Sequence, residues 1–244
     1  MIGLDGAVVL VTGASGGIGR AVAEALTDAG AVVVAAGRDE KVLAEVPAAS
    51  TVAADVADPG AAAALVETAI ARHGSLTAVV ASAGIGHAGP FAEMDPARIA
   101  ALVDVNLRAP LLLARAALPV LRRPGALVFL SSIAGLVGVP GETVYSVTKA
   151  GLETFAALLR EEADGVTVST VAPGAVATGF FATRGVPYDR GFPRPVAPER
   201  VAAAVVTAIR TGTPRRVEPR WLAFPARLSA TAPKTYRALA RRFS

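Results

Sequence analysis

Short, nearly unbroken runs of Val, Ala and Leu alternate with longer Ala-rich segments, and this constrains the fold more than any other feature of the chain. The runs are AVVLVT (7–12), AVVVAA (31–36), STVAADV (50–56), LTAVVAS (76–82), GALVFLSS (125–132) and VTVSTVAP (166–173), with RRVEP (215–219) as a last short strand. A strand with one wet face alternates apolar and polar residues. These do not, so a sheet covered on both faces is expected. The segments between them carry helix signals. Gly30 closes the segment 17–30, a short helix falls near 39–46, and Asp58 with Pro59 reads as the N-cap and first residue of a helix reaching Arg72. Asp95 with Pro96 opens a long helix to about Leu121, and further helices span 143–163 and 197–212. Such alternation predicts an α/β fold: a single Rossmann-type, doubly wound parallel sheet flanked by helices on both faces. No linker or repeat interrupts it before about residue 212. Residues 1–217 are therefore expected to form one domain, with 218–244 a basic C-terminal helical extension.

Composition excludes several other classes. Hydrophobic residues make up 53% of the 244 and charged ones 18%, which supplies a large core rather than a disordered chain. There is no cysteine, so disulfides and thiolate metal sites are excluded, and two histidines without an acidic cluster leave no metal expected. No apolar run approaches the roughly 20 residues of a membrane span. The opening MIGLDGAVVLVTG has no basic stretch before its apolar run, so no signal peptide and a cytoplasmic location are expected. The net charge of +4 conceals an asymmetry: residues 210–244 hold nine Lys and Arg against one acid, Glu218. The other 209 residues hold 15 bases and 19 acids. A globally basic nucleic-acid binder is not expected, and aromatics at 5% offer few stacking platforms.

Two short stretches carry chemistry. TGASGGIG (12–19) joins the first strand to the first helix, with Gly13, Gly17 and Gly19 where backbone amides can approach a phosphate. Its spacing is neither the G-x-G-x-x-G fingerprint nor a P-loop, so a phosphate cradle and a turn for tight helix–strand packing both remain open. YSVTK (145–149) places Tyr145 and Lys149 four residues apart, on one face of a helix. An ammonium there favours the phenolate of a group whose pKa is ordinarily about 10, and so makes tyrosine a usable proton donor. Packing of both side chains is the plainer alternative.

Together, TGASGGIG, DV (55–56), SAG (82–84), Asn106, SS (131–132), YSVTK and PGAVAT (173–178) resemble the short-chain dehydrogenase/reductase family in order and spacing, over residues 5–217. The resemblance implies an NAD(P)H-dependent oxidoreductase that moves a hydride between the nicotinamide and a carbonyl or secondary alcohol of a small, largely apolar molecule. A ketoreductase working in the reducing direction is expected. The implied catalytic set is Asn106, Ser132, Tyr145 and Lys149. Tyr145 donates the proton, Lys149 depresses its pKa and holds the nicotinamide ribose, and Ser132 fixes the substrate oxygen. Asn106 joins a proton relay through water at its backbone carbonyl. The sequence adds its own support, because Pro110, four residues on, has no N–H to offer that carbonyl. By the same resemblance the cofactor is held by Gly13, Ser15, Gly17, Ile18, Gly19, Arg38, Asp55, Val56, Ala83, Gly84, Pro173, Gly174, Val176 and Thr178, together with Tyr145 and Lys149.

An NAD site places a carboxylate at the end of the second strand to take the ribose 2′-OH. The corresponding residue here is Gly37, followed by Arg38, whose guanidinium suits a 2′-phosphate. Asp39 either competes for the ribose or caps the next helix. Gly16 stands where many NADP-type members carry a second basic residue. NADP(H) is favoured, with NAD(H) as the alternative.

The family's NNAG is ASAG in this chain, so Ala81 and Ser82 replace two asparagines that tie the central strands. The segments 96–121 and 143–163 resemble the family's subunit-packing pair, which implies a homodimer or homotetramer. Around the substrate, Leu136, Val137, Phe180 and Phe181 are candidate lining, with no acidic or guanidinium anchor. In the tail, Tyr236, Leu239, Ala240 and Phe243 share one helical face, flanked by Lys234, Arg237, Arg241 and Arg242. The tail docks over its own cleft, meets a partner subunit or touches a membrane surface. Prolines at 219, 225 and 233 keep its helices short and favour docking, in which Trp221, Leu222 and Phe224 wall the substrate end. A reading from another class is a catalytically idle dinucleotide sensor or scaffold. An intact set of Ser132, Tyr145 and Lys149 stands against it, because a sensor needs no proton donor.

Overall fold

In the computed structural model, which describes residues 1–188 and 193–240, every expected strand pairs in parallel with its neighbours. The strands are β1 (Val8–Thr12), β2 (Val32–Gly37), β3 (Ser50–Ala53), β4 (Ala78–Ala81), β5 (Gly125–Leu130), β6 (Val166–Pro173) and β7 (Arg215–Glu218). Their order is β3-β2-β1-β4-β5-β6-β7. Along β1, Val9 and Val11 enter one apolar cluster while Val8 and Leu10 enter another, and all four are buried. That two-sided burial is why the runs are unbroken rather than alternating.

The helices are α1 (Gly17–Asp28), α2 (Glu40–Leu43), α3 (Ala61–His73), α4 (Pro96–Val103), α5 (Ala109–Ala117), α6 (Ile133–Val137), α7 (Thr143–Glu162), α8 (Phe180–Thr183), α9 (Pro198–Thr211), α10 (Ala223–Thr231) and α11 (Pro233–Ala240). α1 and α9 pack together against one face of the sheet, and α3, α5 and α7 cover the other. Strand order reverses at β1, whose neighbours are β2 and β4. Loops leaving the carboxyl ends of these strands diverge there, which opens a crevice at the switch point.

Three expectations are corrected. β3 ends at Ala53 rather than at 56, because the chain turns about Asp55, whose carboxylate accepts from the Ala57 amide at 2.9 Å. A second turn, from the Ala61 amide to the Asp58 carbonyl, delays α3, so Gly60 rather than Asp58 holds the N-cap position. The single helix expected over 96–121 is broken into α4, a π-helical turn at Asp104–Arg108, and α5. Pro110 cannot donate to the Asn106 carbonyl, so the ladder loses its four-residue step there, and the Ala109 amide reaches back to Asp104 instead. Gly30 does close α1, one residue beyond the cap at Ala29. It has φ +84°, and the Ala31 and Gly30 amides bond to the Leu26 and Thr27 carbonyls, a Schellman closure.

Candidate active site

The glycine turn holds its shape because side chains would not fit. Gly13 has φ +70°, and a Cβ there would lie 2.7 Å from the Ala83 Cα. A Cβ on Gly19 would run into the Gly13 carbonyl. The N-terminus of α1 has no side-chain cap, so its first amides are left for a ligand. Across the crevice, the Thr178 Cγ2 lies 3.3 Å from where a Gly17 Cβ would be, which brings the two ends of the motif set face to face. A diphosphate fits this cradle of uncapped amides and missing side chains.

At the end of β2, Arg38 lines the same crevice, whereas Asp39 turns its carboxylate to the amides of Lys41 and Val42 and caps α2. A Cβ on Gly37 would meet the Ser15 hydroxyl at 2.9 Å. A side chain at Gly37 would press on the Ser15 hydroxyl of the glycine turn. The departure at Ala81 and Ser82 is compensated from β1: the Thr12 hydroxyl accepts from the amides of Ser82 and Ala83 at 3.2 and 3.4 Å.

β5 delivers Ser131 and Ser132, and α7 delivers Tyr145 and Lys149. Ser132 opens α6, its hydroxyl accepting from the Ala134 amide at 3.1 Å and hydrogen-bonded to the Tyr145 phenol. Lys149 lies 5.8 Å from the centre of the Tyr145 ring and donates from Nζ to the Leu130 carbonyl at 2.8 Å. Asn106 is fully buried. Its amide is bonded both ways to the Ile85 backbone, at 2.9 and 2.8 Å, and its Oδ1 abuts Gly84.

Every expected site residue except Asn106 lines one cleft of about 1570 Å³, with Asn106 just behind the wall at Gly84 and Ile85. Val137, Phe180 and Phe181 line it too, but Leu136 does not. The tail lies against the same cleft: α10 packs on α6, and Trp221, Leu222 and Phe224 line it. Leu222 seats on the chain leaving β6, where its Cδ1 occupies the place of a side chain at Gly174. On α11, Tyr236, Arg237 and Leu239 reach the same cleft, whereas Arg241, Arg242 and Phe243 lie outside the described residues.

A family model described as short chain dehydrogenase matches residues 7–187. The chain belongs to the short-chain dehydrogenase family. An oxidoreductase that uses a nicotinamide dinucleotide follows from that membership. Versicolorin reductase of Emericella nidulans is 39% identical over 190 residues, covering 73% of this chain and 72% of that one. A short-chain dehydrogenase/reductase from Burkholderia phymatum, solved with NAD, shares the fold over 96% of both chains, with a TM-score of 0.85 and 24% identity. A short chain dehydrogenase from Burkholderia cenocepacia, solved with NADP, is 28% identical with a TM-score of 0.78, over 88% of this chain and 97% of that one.

Two features of this short-chain dehydrogenase differ from the sequence expectation. An ion pair stands in the cleft where no charged anchor was expected. Arg184, after α8, is paired with Glu142 before α7, and its guanidinium stacks 4.7 Å from the Phe181 ring. The partners are 42 residues apart, and no pattern in the sequence joins them. The Tyr145 phenol is also not depressed. Burial pushes it up to about 12, against the bond to Ser132 that favours the phenolate, with Glu142 raising it and Arg184 lowering it.

Burial also drives the Lys149 ammonium down to about 8, opposed by the Glu153 carboxylate one turn along α7. An unfolded lysine keeps its proton to about 10.5. Between these values the unfolded chain holds the extra proton, so this group makes stability rise with pH. A Lys149→Met chain should lack that rise. From about pH 7 to about pH 9.5, wild type should gain on the variant by on the order of 1–2 kcal/mol in denaturant titrations. Parallel curves would mean that the ammonium is solvated in the folded chain.

Proposed function

We propose that this short-chain dehydrogenase reduces the carbonyl group of an apolar substrate with NADPH. The observation that carries the reading is the meeting of Ser132, Tyr145 and Lys149 at the head of the cleft whose other end is the glycine cradle. When bound, the reduced dinucleotide supplies the hydride. It would be held by the amides of Gly17, Ile18 and Gly19, by Asp55 and Val56, by Ala83 and Gly84, and by the 173–178 segment with Val176 and Thr178.

Ser132 orients the substrate oxygen with its hydroxyl. Tyr145 gives that oxygen its proton as negative charge develops there. A phenol pushed up to about 12 retains its proton at neutral pH, as a donor must. The tyrosinate that remains lies beside the Lys149 ammonium, which stabilises it until a new proton arrives. The Asn106 carbonyl, denied an amide by Pro110, leads that proton in by way of water. The 39% identical relative is a versicolorin reductase, which supports the reducing direction.

Three observations support NADPH over NADH: Arg38 lines the cleft, Asp39 is committed to its cap, and Gly37 offers no carboxylate at the end of β2. Association into a homodimer or homotetramer belongs to the same reading, supported by exposed Val103 on α4 and exposed Val147 and Leu158 on α7. The test is to incubate the protein with NADPH and a panel of apolar ketones and to follow loss of the reduced nicotinamide absorbance. Turnover of at least one ketone is expected. A protein that binds NADPH tightly and consumes it with none of them is instead the idle sensor.

A further inference from the structure

The chain holds twelve aromatic residues, and ten of them fall among the described residues. Seven of those ten line this one cleft: Tyr145 and six others around the substrate end. Phe180, Phe181 and Tyr188 form one wall, and Trp221, Phe224 and Tyr236 of the tail form another. Elsewhere, among the described residues, the interior is mostly Val, Ala and Leu, with Phe129 and Phe155 paired 5.7 Å apart. Most of the described rings are spent on the cleft.

Their arrangement is continuous. Starting at the proton donor, ring centres step from Tyr145 to Phe180 at 5.6 Å, to Phe181 at 5.8 Å and to Tyr188 at 4.8 Å. These are the separations at which aromatic rings attract beyond their buried area. The guanidinium on this wall is neutralised by Glu142, so Arg184 presents a flat face stacked on Phe181 rather than a charge seeking an anion. On the tail wall Trp221 is 47% and Phe224 73% exposed, large apolar surface left at the mouth of a cleft. An aliphatic substrate needs only the aliphatic lining that this chain uses everywhere else. Rings on two sides, one row of them leading to Tyr145, suit a partner that is itself flat and aromatic.

We propose that the substrate is a fused-ring aromatic ketone, its carbonyl at Tyr145 and its rings between the α8 segment and the tail. This rests on the carbonyl reduction proposed above. The test uses two ketones of one carbon skeleton, 2-acetylnaphthalene and its saturated counterpart 2-acetyldecalin. Their affinities are measured by calorimetry on protein saturated with whichever oxidised dinucleotide it binds more tightly, so that no turnover intervenes. The naphthyl ketone should bind about tenfold tighter or better, and Phe181→Leu and Phe224→Leu should each remove a severalfold part of that preference. Phe224 is exposed, so its replacement leaves the core untouched. Equal affinities, no binding of the naphthyl ketone, or a preference that survives in both variants would overturn the inference. If the decalin ketone is reduced as readily as the naphthyl one, only the aromatic assignment fails. If NADPH is consumed with no ketone at all, the reductase reading fails with it.

Discussion

Tyr145→Phe is expected to lower turnover at least about a hundredfold while dinucleotide affinity barely moves, because a positioned general acid contributes roughly 10²–10⁴-fold. The substitution removes one oxygen and little else. The ring stays in the apolar cluster of Leu102, Ala134 and Val144 and keeps its neighbour Phe180 at 5.6 Å. Ser132 retains the Ala134 amide as a partner, so its hydroxyl is not orphaned. The glycine cradle lies at the other end of the cleft. Rate is read from loss of reduced nicotinamide absorbance, and affinity from nicotinamide fluorescence on binding. Residual activity above about a tenth of wild type contradicts the donor role, given the size of that term.

Arg38→Ala should weaken NADPH binding by about ten- to over a hundredfold and leave NADH nearly unchanged. The charged hydrogen bonds lost are worth roughly 1.5–3 kcal/mol, and only NADPH carries the 2′-phosphate that receives them. Arg38 is exposed at the end of β2 and takes part in no core packing, so a loss common to both cofactors would have no folding excuse. Equal losses for NADPH and NADH would refute the phosphate contact and with it the preference. The experiment needs both titrations on the same preparation and at one ionic strength, since salt screens an exposed charge.

The sheet was legible because its physics is repetitive. A strand buried on both faces is apolar at nearly every position, and the runs that form β1, β2, β4 and β5 announce that directly. The cleft residues were legible as motifs, because backbone conformation restricts them to glycine or because the chemistry restricts them to a hydroxyl and an amine. What stayed hidden depends on long-range packing. The pairing of Arg184 with Glu142 needs the α8 segment folded over the start of α7, and no local pattern encodes that approach. Spacing put Tyr145 and Lys149 on one face, but it did not reveal that both would be buried, which turns an expected depression of the phenol into a rise. Pro110 marked a fault in the helix. The fault relaxes as a widened turn around Asn106, whose amide is held by the Ile85 backbone 21 residues away. Asp58 looked like a cap in isolation, but Asp55 had already set the turns around it.

The seating of Leu222 on Gly174 joins two parts of the chain with separate duties. Gly174 belongs to the segment expected beside the nicotinamide, and its amide donates to the Glu218 carbonyl at 2.8 Å, just before the tail departs. The tail is thus pinned at its root, next to that segment, while its rings extend along the cleft. The family match stops at residue 187, short of this root. Such a chain is modular at a single seam: a different C-terminal cover, kept on the same Leu222 peg, would present the same hydride and the same proton to a differently shaped guest.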